Sequence, residues 1–184
     1  MFAAGFGHAE VVRVLLAAGA RKDACDDVSG HTALMRASIN GHAKVAEFLL
    51  EARAQVNLCD KELGTPLIFA ASLCHAPVVQ LLLAAGANPN LSDSYNLTSL
   101  MQAAINDHAP VVQLLLEAGA VVDALDNWGR TALMGAAISG HAQVVQLLLD
   151  AGAQKDLRDG DGRTALMLAT DAGQDEVRRL LEPN

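Results

Sequence analysis

Thr131-Ala132-Leu133-Met134, followed by Gly140-His141, then Val144-Val145-Gln146-Leu147-Leu148-Leu149 and Gly152-Ala153, sets out a complete structural unit in little more than twenty residues. Thr is a good helix N-cap because its hydroxyl accepts a bond from an orphan amide. A short Ala-rich helix is therefore expected after Thr131, ending near Gly140. A second helix is expected after His141, with Val144, Leu147 and Leu148 at the i, i+3, i+4 spacing of a one-sided apolar stripe. Gly152 then supplies the left-handed backbone that closes such a helix.

The same unit recurs along the chain. Thr stands at 32, 65, 98, 131 and 164, and Leu at 34, 67, 100, 133 and 166, each at steps of 33. His8, His42, His75, His108 and His141 form a second register whose first step is 34, which places one extra residue near Val28-Ser29. Pro66 falls just inside a first helix, and Pro77 and Pro110 in the first turn of second helices, where a missing amide costs nothing. Gly19, Gly86 and Gly119 match Gly152. Asn57, Asn90, Asp123 and Asp156, with Asp60, Asp93, Asp126 and Asp159, read as turn-rich hairpins between units. Helices of at most about ten residues fall below the roughly 12–15 needed for marginal helicity in water, so neighbouring units must hold each other in place.

Composition agrees. Of 184 residues 52% are hydrophobic but only 3% aromatic, so burial must come from Ala, Leu, Val and Met through close helix packing. A formal charge of −8, without a basic run, argues against nucleic acid. No apolar run approaches the roughly 18 residues of a membrane span, and His8 and Glu10 interrupt any signal-peptide core. A protein with no membrane insertion, cytoplasmic or nuclear, is expected. Three cysteines exclude a complete disulfide framework. Cys25 and Cys59, at equivalent places in units stacked about 8–10 Å apart, are expected to stay reduced.

The Thr65-Pro66-Leu67 motif, the Gly-His and Leu-Leu pairs and Gly86-Ala87-Asn88-Pro89-Asn90 resemble the ankyrin repeat over nearly the whole chain. The resemblance implies an all-α solenoid of stacked antiparallel helix pairs with projecting β-hairpin loops. It divides the chain, as a single array, into a partial unit at 1–29, full units at 30–62, 63–95, 96–128 and 129–161, and a capping unit at 162–184. Departures from the family pattern lie mainly in the second to fourth units. Met35, Ile68, Met101, Met134 and Met167 stand where the family often has His. Arg53 takes a left-handed Gly position, and Cys74 and Asp107 replace the Gly before His. In the last unit Arg178 and Glu182 make the outer face polar, as in a cap. The first unit keeps Val11, Val12, Val14, Leu15 and Leu16, an apolar face for which further chain before it is the expectation and a natural half-repeat start the alternative.

Chemistry-bearing clusters read as structural. The registered histidines lie about 10 Å apart, too far to share an ion whose ligands sit about 2 Å away, and the resemblance implies that they bond backbone near the bend. His31 is expected to be exposed and alone. Asp159-Gly160-Asp161-Gly162 lacks the ligand spacing of a calcium loop, and Cys74-His75 is a coincidence of register. No catalytic motif, metal site or cofactor is expected.

The resemblance implies that partners sit on the inner face, formed by residues three and one before each Thr and three, four, seven and eight after it. Tyr95 and Trp128, the only Tyr and Trp in the chain, occupy the position three before Thr in adjacent units. Arg130 and Arg163 occupy the position one before. Trp, Tyr and Arg are enriched in binding hot spots. Leu97, Met101, Gln102 and Met134 are expected beside them, with Met giving an adaptable surface. The sequence thus predicts a monomeric module that binds a protein or peptide at Tyr95, Trp128 and Arg130, unless the aromatics merely pack on neighbouring hairpins. Two alternatives are recruitment of substrate for a larger enzyme or signalling polypeptide, and hydroxylation of Asn57 or Asn90, each eight residues after a Leu.

Overall fold

Thr32, Thr65, Thr98, Thr131 and Thr164 all hold extended backbone, with ψ between 162° and 171°. Each hydroxyl accepts a bond of 3.2–3.4 Å from the amide three residues on. This is the N-cap expected of Thr, and it forms without a His partner. At Thr32 the Met35 sulfur also lies 3.3 Å from the capping residue's own amide.

The computed structural model describes residues 1–182. The inner helices are α1 Phe2–Gly5, α3 Ala33–Ile39, α5 Pro66–Ser72, α7 Ser99–Ile105, α9 Ala132–Ser139 and α11 Ala165–Asp171. The outer helices are α2 Ala9–Ala17, α4 Ala43–Glu51, α6 Ala76–Ala84, α8 Ala109–Glu117, α10 Ala142–Asp150 and α12 Asp175–Leu181. Inner helices pack on the next inner helix, outer on the next outer, and each inner on its own outer partner. Two layers result, elongated along one axis. Among the described residues the loops between pairs contain no strand, only isolated antiparallel bridges at Cys25–Thr32 and Ser92–Thr98.

Buried residues repeat with the period. Leu34, Leu67, Leu100 and Leu133 are 1% exposed and Ala37, Ala70, Ala103, Ala136 and Ala169 are fully buried, so the small side chains let inner helices approach closely. In α10 the buried stripe is Val144, Val145 and Leu148. Leu147, expected in that stripe, is only partly buried and packs at its edge.

The bend between paired helices is fixed by backbone bonds. His75, His108 and His141 each donate their amide to the carbonyl five residues earlier, and the residue before each is left-handed, as this helix-closing motif requires. Those residues are Cys74, Asp107 and Gly140, with φ of 59°, 60° and 80°. Arg53 adopts φ 61° at the end of α4, as its place in the register predicts.

A histidine backbone N-caps every outer helix but α12, and its ring does not cap the helix it opens. Instead His42, His75, His108 and His141 reach back to the previous inner helix. Their Nε2 atoms lie 2.9–3.1 Å from the carbonyls of Gly5, Ile39, Ser72 and Ile105. A carbonyl can only accept, so Nε2 carries the proton. Each ring thereby satisfies an orphan carbonyl at a helix C-terminus and fastens two units together. Gln174 does the same in the last unit, its amide nitrogen 3.1 Å from Ile138 O. The His register conceals this member, because the donated bond is shared and the residue type is not.

Candidate functional site

The loops that carry the expected binding residues are rigid by construction. In each of the last four, one Asp oxygen accepts the amides two and four residues on: Asp60 from Glu62 and Gly64, Asp93 from Tyr95 and Leu97, Asp126 from Trp128 and Arg130, Asp159 from Asp161 and Arg163. In the first loop Asp26 instead accepts from Val28, Ser29 and Gly30, which accommodates the extra residue. These bonds, with help from Arg36, hold its carboxyl well below the usual carboxylate range, the Ser29 amide contributing most.

Successive tips are also tied to one another. The carbonyls of Ser29, Glu62, Tyr95 and Trp128 accept the amides of Lys61, Ser94, Asn127 and Gly160 at 2.8–3.2 Å. On the opposite flank Asp23, Asn57, Asn90 and Asp123 accept the amides of Gln55, Asn88, Val121 and Gln154. Asn57 and Asn90, named above as modification candidates, thus stand exposed with their carbonyl oxygens engaged.

Tyr95 and Trp128 meet on this frame. Their ring centroids are 6.1 Å apart and their planes 10° from parallel, while Tyr95 stays 53% and Trp128 51% exposed. Below Trp128 a groove of about 240 Å³ opens between α7 and α9, lined by Leu97, Ile105, Arg130 and Ile138 among others. Gly135 makes room for it, since a Cβ there would lie 2.7 Å from Ile105 Cγ1. Ile105 and Ile138 stand seven residues after Thr98 and Thr131. The register therefore includes them, although composition gives no reason to single them out.

Two of the expected contacts need correction. Met101 and Met134 are 2% and 1% exposed. Three residues after the cap, both side chains lie in the core, Met101 at the floor of the groove, so neither forms an adaptable surface. Met167, at the same place in the last unit, is 45% exposed. Gln102 lies in the adjoining groove with Tyr95, within reach of the Ser72 hydroxyl. Arg163 is clamped by Asp159 and Asp161 at 3.0 and 2.7 Å. Bonds from the Arg163 amide and guanidinium lower the buried Asp159 carboxyl, and the pairing raises Arg163 in turn. Arg130, at the equivalent position, has Trp128 where Arg163 has Asp161. Its Nε is buried without a hydrogen-bond partner.

His31 is neither exposed nor alone. Its Nε2 lies 3.1 Å from Asp60 Oδ2 and its ring packs edge-on to Phe69 at 5.3 Å. Sitting one residue before Thr32, it faces the next loop, so the inserted residue does not push it into solvent. Among the described residues no three His, Cys, Asp or Glu side chains gather as metal ligands, and no helix is long and apolar enough to cross a membrane.

A comparison with curated proteins gives no match. The family model described as ankyrin repeats matches three times, over residues 1–93, 52–126 and 100–184, and together these matches cover the whole chain. With its recurring caps, bends and inter-unit bonds, the chain belongs to the ankyrin repeat family.

Proposed function

We propose that this chain holds a protein or peptide partner against its inner face at Trp128, Tyr95 and Arg130, over the groove lined by Leu97, Ile105 and Ile138. Ankyrin repeats in general serve protein–protein interaction, which supplies the class of function. The observation that carries the finer reading is the stacked pair itself. Each ring spends one face on the other and leaves about half its surface open, so packing and binding are not alternatives here. A pre-stacked, backbone-pinned aromatic pair loses little conformational freedom on binding, which is what makes such side chains effective anchors.

The test is replacement of Trp128 and Arg130 by Ala, with partners recovered by crosslinking to the wild-type chain and affinities then measured on purified components. Affinity is expected to fall by roughly thirtyfold, about 2 kcal/mol for a hot-spot pair, with the helical circular dichroism unchanged. Equal affinity in a folded double variant would remove this patch from the function.

A further inference from the structure

The Tyr95–Trp128 stack separates an acidic groove from one that holds an unpaired cation. On the Tyr95 side, a groove of about 270 Å³ is lined by Asp60, Glu62 and Asp93, with Phe69 and Gln102. Asp60 is paired with His31, and Asp93 spends Oδ1 on the amides of Tyr95 and Leu97. Glu62 is exposed and its Oε2 receives only the Ser94 hydroxyl, at 3.2 Å. On the Trp128 side the cation is Arg130. Asp126 lines that groove too, but its Oδ1 accepts the amides of Trp128 and Arg130, and no carboxylate among the described residues comes within ion-pair distance of the Arg130 guanidinium. Arg130 Nε is buried with no partner, while Arg163, its counterpart in the next unit, is doubly paired. A guanidinium fork held at the mouth of an apolar groove without an acceptor matches an incoming carboxylate.

We propose that this surface selects an extended segment of a partner protein bearing opposite charges on either side of an apolar residue. An acidic side chain meets Arg130, the apolar residue rests on the aromatic pair and its groove, and a basic side chain meets Glu62. The spacing follows from the scaffold. Glu62 and Arg130 lie two repeat steps apart, about 20 Å at about 10 Å per adjacent helix pair, and an extended chain advances about 3.3 Å per residue, so acid and base fall about six positions apart. The acid is a side chain of an internal segment, which peptides with both ends blocked distinguish from a terminal carboxylate. This inference rests on the binding reading above and adds the partner's charge pattern.

The experiment pans a phage-displayed library of random dodecapeptides against the full chain, then measures the selected sequences as synthetic peptides with both ends blocked. Enrichment of an acidic and a basic residue about six positions apart is expected. Arg130→Glu should weaken these peptides at least about tenfold, and Glu62→Lys about threefold because that pair is more exposed. Replacing the peptide's acid by Lys should recover part of the loss on the Arg130→Glu chain. Arg130→Gln serves as the second variant should Arg130→Glu disturb the helical circular dichroism. If Trp128→Ala abolishes binding but Arg130→Gln and Arg130→Glu do not weaken it, the charge pattern falls and the binding surface stands. If Trp128→Ala is harmless as well, both fall. Binding that disappears when the C-terminus is blocked, or a library that yields nothing above background, also overturns the proposal.

Discussion

Residues 53–107 and residues 119–173 run through the same turns on different side chains. In the first stretch Arg53, Leu63, Cys74, Asn96 and Asp107 hold φ between 58° and 62°, and glycine stands only at the Gly86 turn, with φ 85°. In the second Gly119, Gly129, Gly140, Gly152, Gly162 and Gly173 hold φ between 72° and 88°. The bonds are alike: the amides of Leu63, Asn96, Gly129 and Gly162 reach the carbonyls of Asp60, Asp93, Asp126 and Asp159 at 2.9–3.2 Å. The turn is therefore imposed by the recurring bonds, and the residue sets only its cost, about 1 kcal/mol or more for each left-handed side chain. The first stretch also carries Ser99, 1% exposed and with its hydroxyl unpaired, where the second has Ala132 and Ala165. The aromatic pair straddles the boundary, Tyr95 on the costly side and Trp128 on the relaxed one.

The comparison breaks if the two stretches answer alike to exchange of their residues. The largest effect is expected for Gly129→Leu, whose Cβ would lie 3.0 Å from the Gly160 amide that bonds Trp128. Strain and crowding together should cost about 2 kcal/mol in urea denaturation. Ser99→Ala should move the other way, gaining about 1 kcal/mol by removing an unsatisfied buried hydroxyl. A loss there would mean that the hydroxyl has a partner. Leu63→Gly should gain somewhat less, about 0.5–1 kcal/mol after the entropy of Gly is deducted, and Asn96→Gly less again, because Asn tolerates this backbone. Equal gains at both would show that side-chain type is irrelevant to the turn.

The smallest expected effect is on acid sensitivity, and it sharpens the contrast between Arg163 and Arg130. Asp159 has a folded pKa below its ordinary value, so its contribution is present above the usual carboxylate range and is lost as pH falls through the folded value. Thermal unfolding of wild type should therefore weaken as pH is taken below about 4, the ordinary Asp range. Asp159→Asn should be less stable at neutral pH and lose less over that interval. Parallel curves for the two proteins would show that the Arg163 clamp contributes nothing.

The sequence made the frame legible because the frame is repetitive chemistry. Thr capping, the bend before His and the glycine-closed outer helices follow from hydrogen bonds that any copy must make, and five copies in phase leave little room for another reading. The left-handed tip two residues before each Thr was harder to see, since Leu63 and Asn96 hide it. The direction of Met101 and Met134 was not legible, because a seven-residue helix makes two turns and both of its sides contain apolar residues. Which faces the neighbour depends on the cap geometry. Tyr95, Trp128 and Arg130 could be placed on one wall by register alone. That Arg163 has Asp161 where Arg130 has Trp128 is legible in the register, but that Asp159 Oδ2 takes the Arg163 guanidinium while Asp126 makes no ion pair with Arg130 is decided only in the folded loop.

The backward reach of His42, His75, His108, His141 and Gln174 has a genealogical consequence. Each junction offers an equivalent carbonyl to a side-chain N–H, so excising or duplicating a block of 33 residues in phase would create a seam chemically equivalent to the one it replaced. Such a chain can change length without inventing a new interface, and what each added block is free to vary is the short stretch of wall it displays.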